Sequence, residues 1–412
     1  PVIEQNGNDQ RFSFMNAYSL EIYREFQRHF DSKPMLIESP GRVNLIGEHT
    51  DYNEGFVLPA AIDKRFVLAL APNNKNKIRL RAVDMDQVAF ETDLSATLDK
   101  SPEHWPNYIL GCVDQLMKAG VEVGGFDCVF GSDIPIGAGM SSSAALEAGI
   151  IMGLSGLFDL KLSKLEMAQL AQRAENDFVG VQCGIMDQFA CLHGKQNRVI
   201  RLDCRSLEFS HYPLNQEEIC ILLCDTKVRR ELAGSEYNTR RRQCEEGVEV
   251  LRKTYPEINS LRDVTLTMLK NHRDHLDPVI YNRCRYVIEE NQRVLAGCLD
   301  LEDGNLISFG KLMYESHNGL RHLFEVSCPE LDLLVDEAEK LDEVPGARMM
   351  GGGFGGCTIN LVYVDQIEDV KEIIGTGYHS KFGFFPEFYT AKIGSGTRIL
   401  SNKNEEPVES IK

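Results

Sequence analysis

Two stretches and two separate carboxylates in this sequence carry the groups most able to do chemistry. Gly41-Arg-Val-Asn-Leu-Ile-Gly-Glu-His-Thr-Asp51 brings together an arginine, two carboxylates, an imidazole, a hydroxyl and an amide. Nearly all of them can hydrogen-bond a hydroxylated ligand. Asn, Gly, His, Thr and Asp favour turns over long helices, so the stretch reads as a loop between buried elements. Polar groups packed densely on a positioned loop point to binding or catalysis.

The second stretch is Pro135-Ile-Gly-Ala-Gly-Met-Ser-Ser-Ser143. Closely spaced glycines let backbone amides converge on a phosphate, and a helix that follows adds its positive end. The serines offer hydroxyls to phosphate oxygens or to a bound Mg²⁺. No Gly-Lys-Ser/Thr follows, so this is not a Walker A loop, and the dinucleotide fingerprint lacks its third glycine and its early position. A plainer reading is a glycine turn ahead of a serine-capped helix. Glu175 and Asp187 are candidates for metal ligand and general base, although a surface salt bridge would account for either one alone. A later cluster, Gly351-Gly-Gly-Phe-Gly-Gly356, is entropically expensive, which is easier to understand if the backbone there approaches a ligand. His49 after Glu48 is not a zinc helix motif, and the ten histidines show no metal-ligand spacing.

Apolar periodicity supplies the elements that hold these groups. Leu20, Tyr23, Phe26 and Phe30 give residues 17–30 a helical stripe. Met35–Ser39 is short and mixed, and Pro40 and Gly41 open the polar loop, which ends at 55–59. Strands are expected at 65–71, 77–83, 125–130, 198–202, 219–223, 357–364 and 384–391. Helices are expected at 144–160, after a capping box at Ser163 and Glu166, after Lys227, and at 278–298, 304–318 and 366–375. The glycine–serine stretch therefore falls between a strand and a helix N-terminus. Glu175 lies beside the buried face of its helix and needs a partner. The basic run Arg240–Arg242 is read mainly as a solvated face with i,i+4 partners Glu245 and Glu246. Trp105 is read as packing. Helices interleaved with strands at this density predict mixed α/β in both halves, with a junction between 202 and 219 and a polar tail from 401.

At 412 residues the chain exceeds one core at about 150 residues per domain. Its 44 basic and 62 acidic residues give a net charge of −18, which argues against nucleic acid or an anionic membrane as main partner. A phosphorylated small ligand stays possible, since a few arginines and amides suffice to hold one. No apolar run approaches the roughly 20 residues needed to span a bilayer, and residues 1–10 lack a signal-peptide core. The twelve cysteines are scattered with no Cys-x-x-Cys pair, and Cys220 and Cys224 sit in an apolar run as small hydrophobes. A reducing, cytoplasmic setting is expected.

Together, the first loop, the glycine–serine stretch and the late glycine cluster resemble the three signature motifs of the GHMP small-molecule kinases, and the galactokinase family among them most closely. Cys-Gly-Ile-Met-Asp-Gln at 183–188, Asp-Cys-Arg-Ser-Leu-Glu at 203–208, Gly-Ser-Glu-Tyr-Asn at 234–238 and Met-Gly-Gly-Gly-Phe-Gly-Gly-Cys at 350–357 also match. The resemblance runs from about residue 16 to 391, with its motifs in the family's order.

It implies a two-domain α/β fold of α+β type with mixed sheets, residues 1–210 and 211–400 forming the domains, and the site in the cleft between them. It also implies ATP-dependent phosphorylation of the C1 hydroxyl of α-D-galactose, with Mg²⁺ bound. By the same resemblance Glu48, His49 and Asp51 contact the sugar, with Thr50 among them, and Gly184 and Tyr237 close the pocket. Asp187 is the base and Arg42 steadies it. Gly137, Ala138, Gly139, Met140, Ser141, Ser142 and Ser143 cradle the ATP phosphates, and Ser143 and Glu175 hold Mg²⁺. Met140 and Met350 depart from the family pattern, the first for leucine and the second for threonine. An N-acetylgalactosamine kinase, or a sensor that binds galactose and ATP without turnover, are the rival readings; the intact serines and Asp187 favour an enzyme. No early Gly-x-Gly-x-x-Gly turn supports a nicotinamide dehydrogenase.

Overall fold

A computed structural model describes residues 16–85, 88–135, 137–229 and 233–400; the side chains of 233–235 are not described. The expected tail at 401–412, Ile136 of the phosphate stretch and the side chain of Ser235 lie outside the described residues. In chain order the strands are β1 (Met35–Asn44), β2 (Phe56–Val57), β3 (Pro59–Pro72), β4 (Lys77–Ala82), β5 (Val88–Asp93), β6 (Phe126–Ser132), β7 (Arg198–Asp203), β8 (Phe209–Pro213), β9 (Ile219–Asp225), β10 (Gly346–Met349), β11 (Cys357–Tyr363), β12 (Glu387–Ala391) and β13 (Arg398–Leu400).

The first half is built on a sheet ordered β13-β1-β3-β6-β4-β5, in which β4 and β6 run parallel and the other neighbours antiparallel. β4 alternates Lys77, Arg79 and Arg81 with the buried Ile78, Leu80 and Ala82, the period of a strand with one wet face. Helix Ser142–Leu157 is apolar almost all round and buried from Ala144 to Ile151, as a helix inside a core must be. It presents Gly149 to Leu68 and Ser39, and Gly153 to Ile37 and Leu70, so the helix backbone comes close to the sheet. The second half has an antiparallel sheet β10-β11-β9-β12. One of its two inner strands, β9, Ile-Cys-Ile-Leu-Leu-Cys-Asp, is buried throughout, and the helices Pro278–Glu302, Leu306–Gly319, Pro329–Ala338 and Ile367–Phe382 belong to this half. A small sheet β2-β7-β8 lies beside the first.

Strand β1 runs through Pro40, Gly41 and Arg42 to Asn44, so the loop expected from Gly41 begins only at Leu45. The register with β3 shifts between Pro40 and Arg42, a bulge where proline brings no N–H to the ladder. At that point a Cβ on Gly41 would sit 2.7 Å from the Met140 carbonyl, and the Arg42 N–H donates to the same carbonyl at 3.1 Å. The bulge thus lets the phosphate stretch lie directly on β1. Helix 366–375 extends to Phe382, and the strand expected from 384 starts at Glu387. The last strand, β13, pairs with β1, so the chain's end completes the first sheet.

One hydrophobic core spans both halves: Val294, Cys298, Phe309 and Ile359 share it with Leu45, Ile46, Val57 and Met140. All twelve cysteines are free, and no helix among the described residues is long and apolar enough to cross a membrane.

Candidate active site

Arg42, on the last residues of β1, grips Asp187 with both edges of its fork. Nε donates to Oδ1 and Nη2 to Oδ2, each at 2.7 Å, and Nη1 donates to the Gly139 carbonyl at 2.5 Å. Burial works against the Arg42 charge, but Asp187 outweighs it and holds the guanidinium firmly protonated. Asp187 occupies the first turn of helix Met186–His193, where the helix dipole favours a carboxylate. A second donor, the Ser141 hydroxyl, reaches its Oδ2 at 2.5 Å. Ser141 adopts left-handed backbone, φ 53°, as it starts helix Ser142–Leu157. Its hydroxyl thus links the start of that helix to Asp187.

Residues of the polar loop meet Asp187 in one cavity of about 560 Å³, lined among others by Arg42, Glu48, His49, Asp51, Glu175, Gly184, Asp187, Tyr237 and Gly351–Gly353. That size suits a small molecule. Glu48 is buried, and its Oε1 accepts from Arg348 Nη2 at 3.0 Å and from the Gly351 N–H at 2.8 Å. His49 has left-handed backbone, φ 62°. Its ring lies among Tyr52, Tyr237 and Phe324, and Nδ1 pairs with the Tyr52 hydroxyl at 2.9 Å while the buried Nε2 has no partner. Burial, helped by Arg240 and Arg348, pushes the imidazole down to about 3 against an opposing backbone contact at Gly352, so the ring is neutral. Burial, reinforced by the Asp187 and Glu48 charges, pushes the Asp51 carboxyl up to about 6. A Cβ on Gly184 would fall 1.9 Å from Asp51 Oδ2, so this glycine is what gives Asp51 its place.

Thr50 does not join the cavity lining. Fully buried, it turns its hydroxyl to the Gly47 and Phe56 carbonyls at 2.9 and 2.6 Å, bracing the loop. Asn44 does similar work, accepting from Leu58 N at 3.2 Å.

In the phosphate stretch, Ala138 and Met140 bury their side chains while Gly137 and Gly139 are exposed. Any contact those two larger residues make with a phosphate is through the backbone. Arg229 lies over Gly137, its Nε 2.9 Å from where a Cβ would stand, and is held there by Asp225 through two hydrogen bonds of 2.9 and 2.6 Å. Sequence reading did not single out this cation. Ser143 Oγ donates to Glu175 Oε1 at 3.2 Å. The helix carrying Glu175 widens to π geometry over Ala174–Val179, a form frequent at functional sites. Gln188 Nε2 bridges Glu175 at 2.8 Å and the fully buried Glu147 at 3.1 Å. Burial and the Asp187 charge raise the Glu175 carboxyl, which hydrogen bonds from Cys183, Ser143 and Gln188 partly offset.

Two of the late glycines also meet a packing need. Cβ atoms on Gly353 and Gly355 would lie 2.2 and 2.5 Å from the Val326 and Val228 carbonyls, with both glycines at positive φ. Close passage of the chain past its own backbone requires glycine at those two positions, and Gly353 also lines the cavity. Arg240 also departs from expectation. It is buried and caps the Phe324 and Glu325 carbonyls at 2.8 and 2.7 Å, while Arg241 and Arg242 do pair with Glu245 and Glu246.

What sequence reading missed is the set that holds the loop at 45–51 from the second half. Arg348 donates to Asn44 O and Leu45 O, Tyr286 to Glu48 O, and Gly47 N and Phe56 N donate to Glu290 and Asn291. Each is an unremarkable residue type more than 200 positions from the loop; a charged Arg348 amid apolar strand residues was the one visible sign.

Residues 24–72 match the galactokinase galactose-binding signature, residues 107–195 the GHMP kinases N-terminal domain and residues 299–379 the GHMP kinases C-terminal domain. A galactokinase of Roseiflexus sp. (strain RS-1) is 41% identical over 93% of this chain and 97% of its own length. One from Clostridium acetobutylicum is 41% identical over 91% and 96%. The structure of Lactococcus lactis galactokinase complexed with galactose superposes with a TM-score of 0.89 at 35% identity, covering 93% of this chain and 100% of that one. Methanococcus jannaschii mevalonate kinase shares the fold, with a TM-score of 0.63 at 20% identity over 88% and 99%. The chain is a member of the galactokinase family of GHMP sugar kinases, and so a phosphotransferase.

Proposed function

We propose that this protein transfers the γ-phosphoryl group of ATP to the C1 hydroxyl of α-D-galactose, giving α-D-galactose 1-phosphate and ADP. The observation that carries this reading is the Arg42–Asp187 pair, which ties a carboxylate in the cavity to the Gly139 carbonyl of the phosphate stretch.

Asp187 faces the nucleophilic hydroxyl as base. A carboxylate offers about four lone-pair sites. Oδ2 accepts from both Arg42 and Ser141, while Oδ1 accepts from Arg42, so Oδ1 retains capacity for the C1 hydroxyl proton. Arg42 keeps the carboxylate oriented and lies where charge develops. Phosphoryl transfer asks a protein mainly for alignment and charge neutralisation; the amides of Gly137–Ser143 and the N-terminus of helix Ser142–Leu157 supply both. Glu48, His49 and Asp51 read the sugar hydroxyls, Tyr237 walls the pocket, and Gly184 leaves Asp51 its space.

Ser143 and Glu175 fit a Mg²⁺ ion: both donors are hard oxygens, 3.2 Å apart, beside the phosphate stretch. Among the described residues no three His, Cys, Asp or Glu side chains form a metal cage, and one carboxylate with a hydroxyl leaves the remaining positions to phosphate and water, as Mg²⁺ prefers. When bound, the ion would neutralise charge on the phosphate oxygens. Residues 1–210 and 211–400 serve as the two halves of this reading, except that Arg398–Leu400 joins the sheet of the first half.

ADP release from ATP and Mg²⁺ with galactose, N-acetylgalactosamine, glucose or mevalonate as acceptor tests it. Turnover with galactose is expected. Binding of galactose without turnover of any acceptor would replace the kinase by a sensor, and preference for N-acetylgalactosamine would reassign the substrate.

A further inference from the structure

Glu48, in the cavity lining, is bonded by a residue three hundred positions later in the chain. Arg348, on β10, is fully buried. Its guanidinium donates to Leu45 O, Met349 O and Asn44 O at 2.5 Å each, and to Glu48 Oε1 at 3.0 Å. The Gly351 N–H converges on that same oxygen at 2.8 Å, and Oε2 takes no hydrogen bond from the described residues.

We propose that Arg348 is the positioning residue for sugar recognition: it fixes Glu48 through one carboxylate oxygen so that the other is presented to the sugar. The inference rests on the reading of Glu48 as a sugar ligand. A carboxylate pinned at one oxygen by two donors loses rotamer freedom before the ligand arrives, so binding does not have to immobilise it. The fork geometry matters as much as the charge. One planar guanidinium reaches two successive carbonyls of the sugar loop, a carbonyl of its own strand and the carboxylate together, which a lysine ammonium cannot do from one point. Because the loop enters from the first half and Arg348 from the second, the sugar contact is set by the packing of the halves.

The test is Arg348→Lys, with steady-state kinetics for both substrates and thermal unfolding alongside. The Michaelis constant for galactose is expected to rise about tenfold or more, while that for ATP and kcat stay within about threefold. In a Glu48→Gln background the same substitution should add less than about twofold, since its effect runs through Glu48. Equal losses for both substrates, or full additivity with Glu48→Gln, would overturn the proposal in favour of a plain structural clamp. An unchanged galactose constant in Glu48→Gln alone would instead remove the reading on which it rests. Should the lysine variant not fold, a crystal structure of the wild-type galactose complex decides. Glu48 Oε2 on the sugar, with Oε1 still on Arg348 and Gly351, supports the proposal; Oε1 leaving Arg348 for the sugar overturns it.

Discussion

Gly184→Ala tests the sugar pocket with a single methyl group. The added Cβ would stand 1.9 Å from Asp51 Oδ2, 2.7 Å from its Cγ and 3.1 Å from its Cβ. To reach the 3.4 Å at which ordinary contact begins, the carboxylate must retreat by about 1.5 Å. A displacement of about 1 Å in a positioning group can reduce turnover about 100-fold, so kcat/KM for galactose should fall by about that factor. Gly184 is not among the residues with positive φ, so alanine adds no backbone strain, and the smaller entropy of the unfolded chain favours it by about 0.4–1 kcal/mol. The unfolding midpoint should therefore hold while galactose recognition fails. The assay is ADP release with each substrate varied against saturation of the other; KM for ATP should stay within about twofold. In Asp51→Ala, which removes the clashing carboxylate, adding Gly184→Ala should cost little more. A Gly184→Ala protein with a near wild-type galactose constant would refute the placement of Asp51 in the pocket.

Asp187→Asn should lower kcat by about 10²–10⁴-fold, the usual worth of a positioned base, with the protein still folded; near wild-type turnover would remove Asp187 as base. Arg42→Met should lower kcat by a similar factor and also destabilise the fold by about 2–4 kcal/mol, because it leaves Asp187 without its cation and the Gly139 carbonyl without its donor. A change confined to KM would contradict the charge-stabilising role. For Asp51, burial raises the folded carboxyl from 3.8 to about 6, so ionising it penalises the unligated fold. The penalty is absent below about pH 4, grows through pH 6 and is complete above it. Asp51→Asn should thus stabilise the unligated protein by up to about 3 kcal/mol above pH 6 and progressively less toward pH 4. Urea unfolding at several pH values checks this, and a pH-independent difference would refute it.

The parts of the site legible in the sequence were those whose chemistry is contiguous: the loop at 45–51, the stretch at 137–143, and Asp187 and Glu175 on short helical segments. The strand–turn–helix around 126–157 was legible for the same reason, since glycines, serines and an apolar helix follow one another directly. Arg348, Tyr286, Glu290 and Asn291 were not, because each acquires its role by touching a loop more than 200 residues away. Local pattern also did not reveal side-chain partners that are tertiary. Ser141 donates to Asp187, and Thr50 to loop carbonyls. Gly353 and Gly355 clear the Val326 and Val228 backbone, and Gly353 lines the cavity as well.

The pairing of charges in the cavity then separates the roles of its three central carboxylates. Asp187 has Arg42 on both oxygens, and Glu48 has Arg348 and a backbone amide on one. Asp51 has no ion pair among the described residues, and it is the one that burial pushes up to about 6. A sugar hydroxyl both donates and accepts, and a carboxyl group can do either according to its protonation, so Asp51 can meet the ligand without a fixed charge. A base that must accept a proton has no such latitude, and in the proposed mechanism Asp187 is the group that receives a bidentate guanidinium. The absence of a cation at Asp51 thus fits recognition as well as the Arg42 pair fits catalysis.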